Sequence, residues 1–177
     1  MVLAAFSQTD GKEPHPAPSE DLKKNNYEMY KTALKNHLES LSTYERFLRF
    51  AQDFRKEEND QISYEKVEKA GKQYIKASYA SICEFMSKKE YTGNRESEMH
   101  ERFCDFAFSD WKEMLEKAGF TLHSDSTSYT NPRLIDNVRK GKVEIFEENV
   151  EENGKENLVA LEYPPTNVFL IAEKPLL

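Results

Sequence analysis

An unbroken apolar run opens the chain, Val2-Leu3-Ala4-Ala5-Phe6, and Ser7-Gln8-Thr9-Asp10-Gly11 stops it. A run without alternation predicts a strand buried on both faces over residues 1–7, with a single helical turn as the alternative of similar pattern. Pro14, Pro16 and Pro18 then make residues 8–18 a Pro-rich extended loop, since each ring restricts the backbone and removes a donor. From residue 19 to 92 the apolar positions recur at three and four, which predicts a helical block. Ser19 is placed to cap a helix through Leu22, Tyr27, Tyr30, Leu34 and Leu38. Ser42-Thr43-Tyr44-Glu45 has the form of a capping box, and Tyr44, Phe47, Leu48, Ala51 and Phe54 make the stripe that follows. A further helix is predicted to open near Ser63 and to carry Val67, Ala70, Tyr74, Ile75, Tyr79, Ile82, Phe85 and Met86.

Beyond Gly93-Asn94, residues 97–177 read as helix followed by strand. Phe103, Phe106, Trp111, Met114 and Leu115 are expected to point inward from one or two helices over 97–118, with Gly119 as the stop. Phe120 to His123 alternates as a strand does. Asn131-Pro132 opens a short helical piece through Leu134, Ile135 and Val138 that closes at Gly141. Residues 142–146 and 157–161 are strand-like and joined across Asn153-Gly154, a hairpin signal. Asn167 to Ala172 is a second unbroken apolar run and so a second buried strand. The fold class expected is α+β, in part α/β: an N-terminal helical block packed with a small, mostly antiparallel sheet.

Charge narrows the set of partners. The 177 residues carry a net charge of -7, which argues against general binding to nucleic acid or to anionic membrane. The hairpin region 142–162 holds seven Glu against two Lys, a charge of -5, and is read as a solvated edge that resists aggregation. No apolar run reaches the length of a membrane span. Cys83 and Cys104 are the only cysteines and no glycosylation sequon occurs, so a reducing, cytoplasmic setting with two half-buried free thiols on helices is expected.

Motif searches exclude more than they offer. The chain has no Gly-x-Gly-x-x-Gly, phosphate loop, Cys-x-x-Cys, His-Glu-x-x-His or nucleophile elbow. His100 and Cys104, four apart, make half a zinc site with no second pair evident, and no metal is expected. Glu101, Asp105 and Asp110 surround Cys104 in sequence and are expected to raise its pKa, which removes a Cys-His nucleophile.

Two resemblances to known families rest on particular residues. Leu41 to Lys76, with Tyr44, Phe47, Phe50, Arg55 and Ser63-Tyr64-Glu65-Lys66-Val67, resembles the first two helices of an HMG box in outline. It lacks the usual second-helix Trp, and Glu57, Glu58, Asp60, Glu65 and Glu68 balance the basic residues such a box needs against DNA. No nucleic-acid partner is expected from it. The second resemblance is carried by Trp111-Lys112-Glu113-Met114-Leu115-Glu116-Lys117-Ala118-Gly119-Phe120 together with Val168-Phe169-Leu170-Ile171-Ala172-Glu173-Lys174-Pro175. These segments look like the closing part of a class I S-adenosylmethionine-dependent methyltransferase.

That resemblance implies that residues 1–7 match the family's fifth strand, 120–124 the sixth and 167–172 the seventh. The seventh would then lie between the other two and antiparallel to both. Residues 19–92 become a cap-like helical insertion and 142–162 a second insertion. The glycine-rich loop and acidic residue that hold the cofactor are absent from the chain. The resemblance therefore implies a partial or split enzyme, a C-terminal half that meets S-adenosylmethionine only when a protein partner or an N-terminal half completes it. Phe6 and Ser7, at the carboxyl end of the first strand, would face the substrate crevice, with Tyr129 and Asn131 as further candidates. The chemistry would be in-line methyl transfer, assisted by proximity and orientation. The alternative is a non-catalytic α+β interaction module, docking through its aromatic helical stripes or its acidic hairpin.

Overall fold

The computed structural model of the chain describes residues 1–88, 97–104, 106–150 and 156–174. Among them the fold is α+β, with six helices, a five-stranded antiparallel sheet and two small two-stranded sheets. In chain order the elements are β1 (Val2–Phe6), α1 (Glu20–Asn25), α2 (Tyr27–Ser40), α3 (Thr43–Asp53), β2 (Tyr64–Lys69), β3 (Lys72–Ala77) and α4 (Tyr79–Ser87). They continue with α5 (Phe108–Lys117), β4 (Thr121–Leu122), β5 (Thr127–Tyr129), the single turn α6 (Pro132–Leu134), β6 (Val143–Val150), β7 (Glu156–Leu161), β8 (Asn167–Phe169) and β9 (Ala172–Glu173). A 3-10 turn spans Ser97–His100, and a π-helical turn, Ile135–Arg139, extends α6.

The main sheet runs β2-β3-β1-β6-β7, so the first strand lies at its centre. Ala4 pairs with Ile75 on one side and with Ile145 on the other. All five residues of β1 are buried, as the unbroken apolar run requires. Strand alternation sends Val2, Ala4 and Phe6 toward the helices and Leu3 and Ala5 to the opposite face.

On the helical face, Phe6 stacks on Phe47 at 4.6 Å between ring centroids, and Phe85 meets both rings edge-on at 5.5 and 5.3 Å. Phe47 and Phe85 are fully buried, each contributing about 1.5–3 kcal/mol by leaving water. The capping box forms as expected: Ser42 Oγ accepts from the Glu45 N–H, and Glu45 accepts from the Ser42 N–H at 2.8 Å. The Pro-rich loop is stitched to the same corner. Asp10 accepts from the Thr43 N–H at 2.7 Å and lies 3.5 Å from Arg46. Gly11 passes so close that a Cβ there would meet the Ser40 carbonyl oxygen at 2.7 Å.

Among the described residues no helix covers the other face. Leu3, Ala5 and Tyr74, with Val67, Phe146 and Leu158, form a thin apolar layer roofed by ion pairs. Lys76 meets Glu148 at 2.7 Å, Lys72 meets Glu144 at 3.0 Å, and Lys69 meets both Glu148 and Glu156 at 2.6 Å. The long side chains lay their methylene stems over the layer while their charges pair above it. Leu3 is thereby 0% exposed on a face with no helix. Three acidic residues of the 142–162 hairpin region are therefore neutralised by β2 and β3, and do not stand as a free solvated edge. Its Asn153-Gly154 turn lies outside the described residues.

Several expectations need correction. The helical block does not run through residues 64–77, which form the β2–β3 hairpin. Its turn places Ala70 and Gly71 both at positive φ, 51° and 74°, the geometry of the tight turns that match strand twist. The second helix of the HMG-box outline is absent for the same reason. The helix from Ser19 is two helices, because Asn26 leaves helical geometry and caps α2 through Met29 N. Phe103, Phe106, Trp111 and Met114 do not point inward but are 38–52% exposed; the last two lie on α5, which among the described residues packs chiefly on the short β4. The segment 167–172 is not a buried strand beside β1. β8 pairs with β5, β9 pairs with β4, and both neighbours of β1 are strands of the main sheet. The antiparallel pairing of 121–129 with 167–173 is present, but the strand order implied by the methyltransferase resemblance is not. No helix among the described residues is long and apolar enough to cross a membrane.

The ion-pair roof has a pH signature. Hydrogen bonds from Lys69 and then Lys76 hold the Glu148 carboxyl down at about 2. A depressed carboxylate pKa stabilises the fold above its ordinary range, and that contribution is lost as pH falls toward the folded value. Glu148→Gln is expected to lower the melting temperature at pH 6, and the difference from the parent is expected to vanish near pH 2. Thermal melts of both proteins across that interval check it.

Candidate functional site

Helix α4 carries an unusual residue set on its inner side. Ser78 caps it, its Oγ accepting from the Ser81 N–H at 3.0 Å, and Ile82, Cys83, Glu84, Phe85 and Met86 are all buried. The stripe is apolar except at Glu84, which is 3% exposed, and Lys88 one turn on is 0% exposed. Burying this pair is costly unless each charge is compensated by further contacts. Glu84 Oε1 accepts from the backbone N–H groups of Phe103 and Cys104 at 2.6 and 2.7 Å. Its Oε2 lies 3.3 Å from Lys88 Nζ, which donates to the Glu101 carbonyl at 2.9 Å. The Lys88 ammonium also stands 3.5 Å from the centroid of the Phe103 ring. Four contacts thus clamp residues 101–104 onto the end of α4.

The clamp brings the two cysteines together. Both are free, Cys83 buried and Cys104 half-buried, and Cys104 lies against the face of α4 that carries Cys83 and, one turn on, Ser87. Ser87 Oγ lies 3.3 Å from Cys104 Sγ. The neighbouring Cys83 thiol, and then the Ser87 hydroxyl, lower the Cys104 pKa against its burial, while the Cys104 thiol and burial raise that of Cys83. The expectation of a raised Cys104 pKa is therefore reversed: contacts in the fold outweigh its acidic sequence neighbours. Cys104 also lies on no helix. Arg139, 3% exposed, completes the cluster. Its Nη2 is 3.5 Å from the Met86 carbonyl, while Nε and Nη1 have no hydrogen-bond partner among the described residues. Tyr79 is pushed up to about 12, by burial and then by the Cys83 thiol beside it.

Tyr79 also lines an open cleft of about 700 Å³ between α4, the main sheet and the 128–130 segment. Tyr129, Thr130, Glu147, Glu162 and Tyr163 line it as well, giving phenols and carboxylates a common opening. Among the expected site residues, Tyr129 lies there, 52% exposed. Asn131 caps α6, its side chain accepting from the Arg133 N–H at 3.0 Å. Phe6 is in the aromatic core, and Ser7 joins β1 to Lys142 and Tyr44 through its backbone. The four do not converge on one site. His100 does not meet Cys104 but lies 3.0 Å from Glu58. Among the described residues no group of three or more His, Cys, Asp or Glu is placed to hold a metal ion. The residues missed in sequence are Glu84, Lys88, Arg139 and the contact between the cysteines. The available signal was a glutamate inside the apolar stretch Ile82 to Met86.

Lys88→Met is expected to cost about 3–5 kcal/mol, because the Glu84 carboxylate stays buried with its countercharge gone. The double variant Glu84→Gln/Lys88→Met is expected to recover part of that loss, and urea unfolding midpoints measure both. Comparison of the chain with protein-family models, with curated proteins and with solved structures gives no match.

Proposed function

We propose that the chain is a protein-interaction module that docks a protein partner through α5 and the paired strands beside it. The observation that carries this reading is the uncovered apolar surface there. Helix α5 buries none of its residues, while Phe106 and Trp111, 5.5 Å apart between ring centroids, stand 52% and 40% exposed. Val168 and Phe169 are consecutive in β8 and point to opposite faces, yet are 41% and 54% exposed. A two-stranded ribbon is marginal by itself. Aromatic residues and Met are also the types enriched at the centres of protein interfaces.

A second reading gives the partner a chemistry. The pairing of 121–129 with 167–173 follows the helix ending in Ala118-Gly119-Phe120, as in the closing part of the methyltransferases the sequence resembles. In that form the partner is the cofactor-binding half and carries S-adenosylmethionine, and this chain supplies the substrate-side cap. The neighbours of β1 weigh against it, so the docking module is the leading reading.

Trp111 is the single tryptophan, so its emission reports docking directly. A partner captured from native extract, purified and titrated against the intact chain is expected to shift that emission to the blue. Phe106→Ala and Phe169→Ala are expected to weaken binding by about 2 kcal/mol, roughly thirtyfold, as interface anchors do. Met29→Ala, on the exposed side of α2, leaves it unchanged. Equal affinity for all variants places docking elsewhere and overturns the proposal. Calorimetric heat with S-adenosylmethionine from the complex favours the methyl-transfer form, and none removes it.

A further inference from the structure

Cys83 and Cys104 are separated by twenty residues in the chain and brought to one face of α4 in the fold, where Ser87, one turn beyond Cys83, lies 3.3 Å from Cys104 Sγ. We propose that they are an oxidisable pair, in which a hydroperoxide oxidises Cys104 and Cys83 closes an intramolecular disulfide. Four features of the cluster carry this assignment.

The first is access. Cys104 is half-buried and Cys83 buried, so an oxidant reaches Cys104 first. The second is position. Glu84 holds the backbone N–H of Cys104 itself, at 2.7 Å, so the thiol is fixed against α4 and does not swing free on a loop. Disulfide closure brings the sulfurs to about 2.05 Å by side-chain rotation on the helix face that Cys83 and Ser87 share. The third is charge. The Arg139 guanidinium is buried with two nitrogens lacking a partner among the described residues, a costly arrangement unless an anion forms nearby. Its charge acts on Cys83 and Tyr79, while at Cys104 the Lys88 ammonium is opposed by the Glu84 carboxylate, the larger of the two effects. A thiolate shared within the pair is the anion the guanidinium awaits. The fourth is the Ser87 hydroxyl, 3.3 Å from Cys104 Sγ and free to donate to the anionic sulfur. The lowered pKa of Cys104 and raised pKa of Cys83 agree with this division, the first supplying the nucleophile and the second keeping its proton.

The steps balance. The Cys104 thiolate attacks one peroxide oxygen, forming an S–O bond and breaking the O–O bond, and the departing alkoxide or hydroxide takes up a proton. The Cys83 sulfur then attacks Cys104 Sγ, forming the S–S bond and breaking the S–O bond. Hydroxide leaves with the Cys83 proton as water. Two thiols and one hydroperoxide give one disulfide, one water and one alcohol (a second water for hydrogen peroxide), with two electrons passing from sulfur to oxygen.

The experiment treats the intact, reduced chain with hydrogen peroxide, quenches with N-ethylmaleimide in denaturant so that buried thiols also label, and reads intact mass and non-reduced peptides. The expected result is a loss of about 2 Da, a peptide linking Cys83 to Cys104, and no maleimide on either residue. Cys83→Ser is expected to trap a dimedone-reactive sulfenic acid on Cys104, and Cys104→Ser to leave Cys83 open to maleimide. Arg139→Met is expected to slow disulfide formation roughly tenfold while Arg139→Lys preserves it, as loss of one nearby positive charge lowers the thiolate population. The proposal is overturned by full maleimide labelling after a peroxide dose that oxidises glutathione. It is equally overturned if disulfides form only between chains, or if Cys83 oxidises at the parent rate in Cys104→Ser.

Discussion

Everything in the main sheet follows from the need to bury both faces of its first strand. Val2, Ala4 and Phe6 require a helical cover, and α2, α3 and α4 supply it through Leu38, Phe47, Phe50 and Phe85. Leu3 and Ala5 require cover on the other side, where no helix is present among the described residues. Long lysine and glutamate side chains give it, reaching across β1 from β3 and β6 to pair above it. The acidic excess of the 142–162 hairpin region thus has a local structural cause: glutamates at 144, 148 and 156 answer lysines at 72, 76 and 69. Ion pairs in such exposed positions are individually weak, but a network over an apolar layer combines their electrostatics with burial of their stems.

The second organising constraint is the buried charge on α4. Glu84 satisfies two backbone N–H groups of the 101–104 segment, and Lys88 satisfies a carbonyl in it. One carboxylate and one ammonium therefore fix where the chain passes before α5. The same contacts hold Cys104 against the face of α4 that carries Cys83, and Arg139 reaches that helix at the Met86 carbonyl. Beyond that point the packing thins. Helix α5 and the 121–129 and 167–173 strands expose aromatic residues on more than one side, and the docking proposal arises from that change in packing quality along a single chain.

Much of the local structure was legible because its signals are local. The Ser42-to-Glu45 capping box, the Ser19 cap, the β6–β7 pair and the two-sided burial of residues 2–6 are each read from neighbouring residues. The β2–β3 hairpin was misread as helix because Val67 and Tyr74 face one side of the sheet while Ile75 and Ala77 face the other. Apolar residues from both faces, summed along the sequence, imitate a helical spacing, and Gly71 was the contrary signal. Phe103, Phe106, Trp111 and Met114 were read as core from their hydrophobicity alone, which does not say whether a covering element exists. The thiol pair was not legible, because its formation depends on Glu84 holding a segment twenty residues away. Likewise, the reading of Cys104 from Glu101, Asp105 and Asp110 weighed sequence neighbours where contacts in the fold decide.

The position of β1 separates the two functional readings most directly, and nuclear Overhauser contacts in the intact, methyl-labelled chain measure it. The Ala4 methyl is expected to contact the methyls of both Ile75 and Ile145, its partners in the two antiparallel pairings, at side-chain separations of about 5 Å. Contacts from Ala4 to Val168 or Leu170 in their place would put residues 167–172 beside β1. That result would contradict the central sheet described above and restore the strand order of the methyltransferase reading.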